Sequence, residues 1–198
     1  LNFMSTIYFI FGFLQAVTGY AAWVFLKQES FRVSESDYKN IGTKGGRLVV
    51  YFSRMGYVKK AALEEADRTG ADVYEVRSTE LTEGTKGFWW CGRFGMHRWE
   101  MPIEKITAEL SSYDHVTVCT PIWVFSLCAP MRAFCKAASG KIREADYIIL
   151  QHMKSSFDSA ADEMDSLLGL KRTGFKSICC RKGTFKTVKE EKDTCKVS

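Results

Sequence analysis

Apolar and polar positions along most of this chain alternate between two kinds of stretch. Five stretches are rich in β-branched and other apolar residues, which is typical of strands, and the stretches between them have helical composition. The predicted strands are residues 46–52, 71–77, 115–125, 145–151 and 174–181, and the predicted helices are residues 59–69, 102–112, 128–139 and 156–170. This alternation predicts an α/β fold with a five-stranded parallel sheet and crossover helices.

Three turns follow predicted strands and should share one edge of that sheet. They are Ser53–Val58, Thr120–Ser126 and His152–Phe157, and the second begins where Thr120-Pro121 breaks the third predicted strand. Ligands of open parallel sheets bind beyond the carboxyl ends of the strands, near the point where the strand order reverses. The sequence therefore predicts a ligand site formed by these three turns.

The first 26 residues contain no charged side chain. As a helix, residues 3–26 would be long enough to cross a hydrocarbon core of about 30 Å. We predict a membrane anchor; a signal peptide and a helix docked on the domain are the alternatives. The predicted organisation is an apolar helix at 1–27, a tether at 28–45, an α/β domain at 46–182 and a basic C-terminal tail at 183–198.

Charge beside the apolar segment predicts the orientation of the anchor. Lys27, Arg32, Lys39, Lys44 and Arg47 all follow it, and positively charged flanks favour the cytoplasmic side of a membrane. The seven cysteines are an odd number without a C-x-x-C pair. That pattern predicts buried thiols in a reducing compartment and no zinc site. We therefore expect a membrane-anchored protein whose domain faces the cytoplasm.

The net charge of +5 is concentrated near the C-terminus. Between Lys171 and Ser198 there are nine Lys/Arg against three Asp/Glu, and the rest of the chain is close to balance. A basic surface across the whole domain is not indicated, so no nucleic-acid partner is expected. The tail is expected to be solvated or to contact anionic lipid or a partner.

Two motifs carry a resemblance to a known family. VVYFSRMGYVKK begins at Val49, and TPIWVFSLCAPMRAF begins at Thr120. Together they resemble the flavodoxin-like family, whose members have a hydroxyl-containing turn with a glycine after the first strand and a Pro-Ile-Trp type loop after the third. The resemblance covers about residues 46–181. It implies a flavodoxin-like three-layer sandwich, non-covalently bound FMN and electron transfer.

The first turn is the predicted phosphate site. Backbone N–H groups at a helix N-terminus, together with the positive end of the helix dipole, bind phosphate. Ser53 would add a hydroxyl donor, and Gly56 would let the backbone approach closely. The predicted phosphate-site residues are Ser53, Arg54, Met55, Gly56, Tyr57 and Val58. Two alternatives stay open, in which Ser53 only caps the helix and Arg54 is only solvated.

The other two turns would hold the isoalloxazine ring, as the resemblance implies. Trp123 and Phe125 would be apolar walls, and Lys154 would stabilise an anionic reduced ring. The hydroxyls of Thr120 and Ser126 would bond ring heteroatoms. The predicted ring-site residues are Thr120, Pro121, Ile122, Trp123, Val124, Phe125, Ser126, His152, Lys154 and Ser155. A place for Trp123 in the core is the alternative, and no catalytic side chain or metal ligand is expected because the cofactor carries the chemistry.

Residues 78–101 match neither periodic pattern and are predicted to be irregular. The segment from Gly84 to Pro102 contains three Trp and two Phe, which is too aromatic for a loop surrounded by water. We expect it to fold over the cofactor edge or to contact a partner, with a small local core as the alternative.

Three functions stay open at this point. The favoured one is an FMN-binding electron-transfer protein of flavodoxin type, tethered to the membrane and serving a redox partner protein or a small-molecule acceptor. The second is an FMN-dependent oxidoreductase that uses NAD(P)H and a quinone-like acceptor. The third is a flavodoxin-like interaction module that has lost flavin, which is favoured by Met55, Tyr57 and Val58 at positions where the family commonly has hydroxyls.

Overall fold

The computed structural model describes residues 3–30, 32–181 and 183–192. The helices α1 to α5 are Phe3–Ser30, Tyr57–Thr69, Gly84–His97, Ala129–Ala138 and Asp158–Leu168. The strands β1 to β7 are Arg47–Tyr51, Asp72–Glu75, His115–Trp123, Ser126–Leu127, Ala145–Gln151, Gly174–Arg181 and Thr184–Lys192. Two short 3-10 helices cover Glu35–Asp37 and Leu110–Ser112.

The strands form one mixed sheet in the order β2-β1-β3-β5-β6-β7, and the short strand β4 pairs with β3 outside this path. Neighbours from β2 to β6 are parallel, whereas β7 runs antiparallel to β6. The α/β class is confirmed, but the prediction of a purely parallel, five-stranded sheet is wrong. The strand order reverses at β1 and β3, which is the switch point where ligands bind in such sheets.

The polar stretch after β6 forms the seventh strand. It pairs along the whole of β6, from Gly174 opposite Lys192 to Arg181 opposite Thr184. Only one residue of this strand, Phe185, packs against the apolar cluster on the α2 side of the sheet. Charged side chains at an edge strand discourage pairing with other chains. The polar composition of this stretch therefore suits an edge strand.

Helices cover both faces of the sheet and give three layers. On one face α2 buries Ala61, Ala62 and Ala66 against β1 and β3. On the other face α4 and α5 bury larger side chains, including Phe134 and Met164. The small residues of α2 bring its axis close to β1, so the N-terminus of α2 lies directly beyond the end of that strand.

Two local predictions between β2 and β3 are wrong. Within the stretch expected to be irregular, residues 84–97 form α3, whose buried residues Gly87, Cys91 and Gly95 are spaced by one helical turn. Within the stretch expected to be helical, residues 102–109 form neither a helix nor a strand, and Ile103 makes an isolated antiparallel bridge with Ser78. There Glu104 N–H donates to Arg77 C=O at 2.8 Å, so pairing with the chain after β2 replaces a helix.

The predicted break of the third strand lies further along the chain. β3 continues through the Thr120-Pro121 step to Trp123, with Pro121 opposite Leu150 of β5. A two-residue turn, Val124-Phe125, then leads into β4. The aromatic end of β3 is therefore held by the sheet.

The apolar helix α1 stands largely outside this sandwich. None of its residues from Met4 to Trp23 is buried. In the described part of the chain it is the one helix long and apolar enough to cross a membrane, and a signal sequence has the same properties. Near the carboxyl end of the apolar span Met4–Trp23, Tyr20 contacts Phe88 of α3, with ring centroids 5.4 Å apart. Part of the predicted tether is docked, since Gly42 N–H donates to Ala71 C=O at 2.9 Å.

Candidate functional site

A cavity of about 580 Å³ lies beyond the carboxyl ends of β1, β3 and β5. All three predicted turns contribute to its lining, for example through Ser53, Trp123 and His152, so the prediction that the turns share one edge is confirmed. Its volume is in the range of small-molecule sites. None of the lining residues is acidic among those the structure describes, which favours a neutral or anionic ligand.

The first turn joins β1 to α2 and exposes the start of that helix to the cavity. Gly56 has φ of 79° and is the N-cap residue of α2, without a capping side chain. The first helical bond runs from Lys60 N–H to Gly56 C=O at 2.9 Å. The preceding amides are those that a helix N-terminus offers to a ligand.

The hydroxyl of Ser53 is the clearest polar feature of this turn. Its oxygen is buried and, among the described residues, has no hydrogen-bond partner. Because no side chain caps α2, the interpretation of Ser53 as a helix cap is wrong. An unsatisfied buried polar group costs about 1–3 kcal/mol, and an anion bound at the turn would satisfy it.

Arg54 brings positive charge to the same turn. It lines the cavity, and its guanidinium carbon lies 5.3 Å from the centre of the Phe88 ring. Burial lowers the pKa of the Arg54 guanidinium from its usual value, because desolvation disfavours the charged form. Arg54 is therefore a half-buried part of the site, and an anion nearby would reduce the cost of its desolvation.

Trp123 belongs both to the core and to the cavity. Its ring meets Phe52 edge to face, with centroids 5.4 Å apart and planes at 84°, and it also lines the cavity. The two interpretations of Trp123 are thus compatible. Beyond it, Val124 and Phe125 form the tip of the β3–β4 hairpin with φ of 47° and 60°. The packed indole and the hairpin tip together give the cavity an apolar wall.

The third turn is tied to strand β6. His152 Nδ1–H donates to Cys180 C=O at 2.5 Å, and Arg181 Nε donates to the carbonyl of His152 at 2.8 Å. Gln151, at the end of β5, donates from Nε2 to Ser155 C=O at 2.5 Å. These bonds fix the backbone of the turn and place His152 and Met153 at the cavity.

Most of the predicted site residues line this cavity, and five do not. The lining ones are Ser53, Arg54, Met55, Tyr57, Val58, Pro121, Ile122, Trp123, Val124, Phe125 and His152; the others are Gly56, Thr120, Ser126, Lys154 and Ser155. The hydroxyls of Thr120 and Ser126 donate to Pro121 C=O at 3.1 Å and Trp123 C=O at 3.0 Å. These two hydroxyls are therefore used to shape the hairpin.

Other lining residues were not among the predicted site residues, although the third turn and the aromatic segment were expected near the site. They are Tyr20 and Trp23 of α1, Phe88, Cys91 and Gly92 of α3, and Leu150, Gln151, Met153, Phe157 and Cys180 of the sheet and third turn. The spacing of Tyr20 and Trp23 by three residues, at the end of an uncharged segment, was the available sign. Local patterns do not show which distant elements meet.

The cavity contains thiols but no arrangement for thiol or metal chemistry. Burial raises the pKa of the Cys91 thiol to about 11, so it is protonated at neutral pH and weakly nucleophilic. In the described ranges no group of three His, Cys, Asp or Glu side chains is placed to hold a metal ion. The described lining can bind and orient a ligand.

Comparison with known proteins gives similarity in structure only. No protein-family model and no curated protein matches the sequence. A flavoprotein from Lactobacillus acidophilus NCFM, solved in complex with FMN, superposes with a TM-score of 0.54 at 16% identity, covering 66% of this chain and 91% of its own. Two proteins classed as flavoproteins, from Bacteroides eggerthii and Bacteroides uniformis, both superpose with a TM-score of 0.52.

The two Bacteroides proteins are 18% and 19% identical to this chain, covering 66% and 68% of it and 84% and 88% of their own lengths. At such identities the likeness concerns the fold. The chain has the flavodoxin-like fold, with a mixed sheet and an additional N-terminal helix.

Proposed function

We propose that this chain is a flavoprotein that binds FMN non-covalently and transfers electrons through it. The observation that carries the proposal is the buried Ser53 hydroxyl, which has no partner in the described structure and lies beside the start of α2 at an apolar cavity. An oxygen-rich anion with an apolar body fits both features. The FMN complex of the Lactobacillus acidophilus protein, which shares this fold, supports the choice.

The residues of the cavity divide between the two ends of FMN. The amides at the start of α2 and the Ser53 hydroxyl would hold the phosphate, with Arg54 supplying positive charge. Trp123 and Phe125 would flank the ring system. Bound FMN supplies the redox chemistry by accepting and donating electrons. The apolar walls exclude water from the ring and so raise the cost of placing charge on it.

The proposal includes anchoring of the domain to a membrane through α1. Met4–Trp23 spans 20 residues with no residue buried in the protein, and an apolar helix of that length suits a bilayer core of about 30 Å. The basic residues that follow, beginning with Lys27 and Arg32, favour a cytoplasmic location of the domain. Its redox partner would be another protein or a small-molecule acceptor.

The test compares FMN with riboflavin, which lacks the phosphate, on the full-length protein in detergent. Ser53→Ala removes a hydrogen bond to a charged group, which is worth about 1.5–3 kcal/mol. We expect it to weaken FMN binding about 10- to 100-fold and to leave riboflavin binding nearly unchanged. Titration of each flavin, followed by quenching of its fluorescence, measures both affinities.

Ser166→Ala is the matched control, because the Ser166 hydroxyl lies on the exposed face of α5 and donates to Asp162 C=O. It should change neither affinity. An equal loss for FMN and riboflavin in Ser53→Ala would place the phosphate elsewhere. A parent protein that binds neither flavin would favour the interaction-module function.

A further inference from the structure

The exposed surface of α3 is aromatic. Within the helix, Trp89 is 55% exposed, Trp90 is 38% exposed and Met96 is 67% exposed. Trp99, just beyond the helix, is 46% exposed. Contiguous apolar surface of this kind marks a contact with something other than water. Phe88, by contrast, faces the cavity, so α3 separates the candidate cofactor site from this surface.

The same segment is basic. Lys86, Arg93 and Arg98 lie between residues 84 and 99, which contain no acidic residue. Of the acidic neighbours, Glu80 accepts from Trp90 Nε1 at 2.9 Å and Glu100 pairs with Lys136 at 2.8 Å, while Glu83 is exposed at the start of α3. Trp residues combined with Lys and Arg are typical of helices that lie in the headgroup region of anionic membranes.

The guanidinium of Arg93 organises the aromatic surface. Its carbon lies 5.6 Å from the centre of the Trp90 ring and 5.7 Å from that of Trp99. A guanidinium over an indole covers one face of that ring and brings positive charge beside it, and His97 also stacks on Trp99 with ring centroids 4.4 Å apart. This arrangement suits the boundary between lipid headgroups and acyl chains.

Helix α1 fixes the depth at which α3 would lie. Tyr20 and Trp23 are at the carboxyl end of the apolar span, where aromatic residues mark the membrane–water interface. Tyr20 stacks with Trp23 and meets Phe88 of α3 edge to face, and Phe88 in turn meets Trp89, with centroids 5.4 to 5.7 Å apart. A continuous row of rings thus leads from the end of the anchor to the exposed face of α3.

We propose that the exposed face of α3 lies in the headgroup region of the membrane that α1 enters, and that the occupant of this face is an anionic phospholipid bilayer. The β3–β4 hairpin tip adds exposed apolar surface next to α3. Gly95 of α3 packs directly on Trp123 and Val124, and Phe125 is 66% exposed. The inference rests on the proposed anchoring by α1 and is independent of FMN.

The test uses the full-length protein in vesicles of phosphatidylcholine and phosphatidylglycerol, with and without lipids brominated near the headgroup. Bromine quenches tryptophan emission in the bilayer. We expect Trp89→Phe/Trp90→Phe to remove a substantial part of the quenched emission. Trp23→Phe should remove a further part, which reports on α1. Phenylalanine keeps an aromatic ring at each position, and far-UV circular dichroism checks the fold.

The outcomes separate the two claims. If Trp23→Phe lowers the quenched emission and the double variant leaves it unchanged, α1 is anchored and α3 faces water or a protein, which overturns the inference alone. If neither change lowers it, both the anchoring and the inference fail. Loss of quenched emission in the double variant supports the inference.

A charge variant tests the choice of anionic lipid. Lys86→Glu should reduce the quenching of Trp89 and Trp90 in vesicles that contain phosphatidylglycerol and have little effect in pure phosphatidylcholine. Lys141→Glu is the matched control, because Lys141 precedes β5 and so lies at the amino ends of the parallel strands, away from the cavity. It should change the quenching in neither kind of vesicle. Equal effects of the two variants would overturn the role of anionic lipid.

Discussion

At the scale of single residues, the hairpin tip departs furthest from local preference. A two-residue turn with both φ angles positive favours Asn-Gly or Asp-Gly, and here it contains Val124 and Phe125 at φ of 47° and 60°. A residue with a Cβ in this conformation costs about 1–2 kcal/mol. Both side chains are exposed and line the cavity, so the costly residues serve the cavity wall and not the turn.

Replacing both tip residues should therefore stabilise the fold and weaken ligand binding. We expect Val124→Asn/Phe125→Gly to stabilise the fold and raise Tm by about 2–8 °C, on the scaling for chains of this size. FMN binding should become weaker because an apolar wall is lost. Thermal unfolding and flavin titration measure the two effects. Val188→Asn is the control, because Val188 is an exposed residue of β7 whose φ is not positive, and it should give no rise in Tm. An unchanged Tm in the tip variant would contradict the assignment of backbone strain to the tip.

At residue level, the predicted residues that line the cavity come mostly from local motifs. The turn after β1 and the Pro121–Phe125 stretch are continuous in sequence, so their composition could point to a site. The hydroxyls of Thr120 and Ser126 could not be placed in the same way, since a local pattern does not show whether a side chain faces the cavity or its own backbone. Tyr20 was missed because α1 is remote in sequence from the three turns, whereas the segment that contains Phe88 was expected at the cofactor edge without any of its aromatic residues being singled out.

At the scale of elements, the glycines of α3 explain why it was not predicted to be a helix. Gly87 and Gly95 lower its helix propensity, but Gly87 lets the chain just before the helix lie against its first turn, and Gly95 lets the helix pack closely on the end of β3. A Cβ at Gly87 would lie 2.3 Å from the carbonyl carbon of Thr82, and one at Gly95 would lie 3.2 Å from Cβ of Trp123. Packing thus requires the residues that make the helix hard to recognise from propensity.

Gly87→Ala should destabilise the start of α3, because the clash is with the backbone of Thr82 just before the helix and overpacking costs about 1–3 kcal/mol. Gly92→Ala is the matched control, since nothing lies within 4 Å of its added Cβ. That change should be neutral or stabilise the helix by up to about 1 kcal/mol. Hydrogen exchange of α3 amides reports on docking. Faster exchange in Gly92→Ala than in Gly87→Ala would show that the close approach at Thr82 is not limiting.

The other two element-level errors have the same kind of cause. The strand β7 is polar because it is an edge strand, and the segment 102–109 does not form the expected helix because its first residues pair with the chain after β2. Both depend on neighbours that are remote in sequence. The buried strands β1, β3, β5 and β6 were predictable because their apolar runs need no such information.

At the scale of the whole molecule, the cavity belongs to two parts of the chain. The sandwich provides the three turns, and α1 provides Tyr20 and Trp23. In full-length protein we expect Trp23→Ala to weaken FMN binding about 3- to 10-fold, since an aromatic contact is worth about 0.5–1.5 kcal/mol beyond the area it buries. Tyr8→Ala, near the other end of α1 and 69% exposed, is the control and should have no effect. Equal flavin affinities of the Trp23→Ala and parent proteins would remove α1 from the site.

A cavity with walls from both an anchor and a domain couples their positions. If contact with α1 strengthens ligand binding by a given free energy, a bound ligand strengthens the packing of α1 on the domain by the same amount, because such couplings are reciprocal. If α1 is anchored as proposed, a bound ligand would restrain the tilt of the domain against the bilayer, and loss of the ligand would relax that restraint. Under the proposed function, occupancy of the cavity would thereby set the angle at which the domain meets its electron-transfer partner.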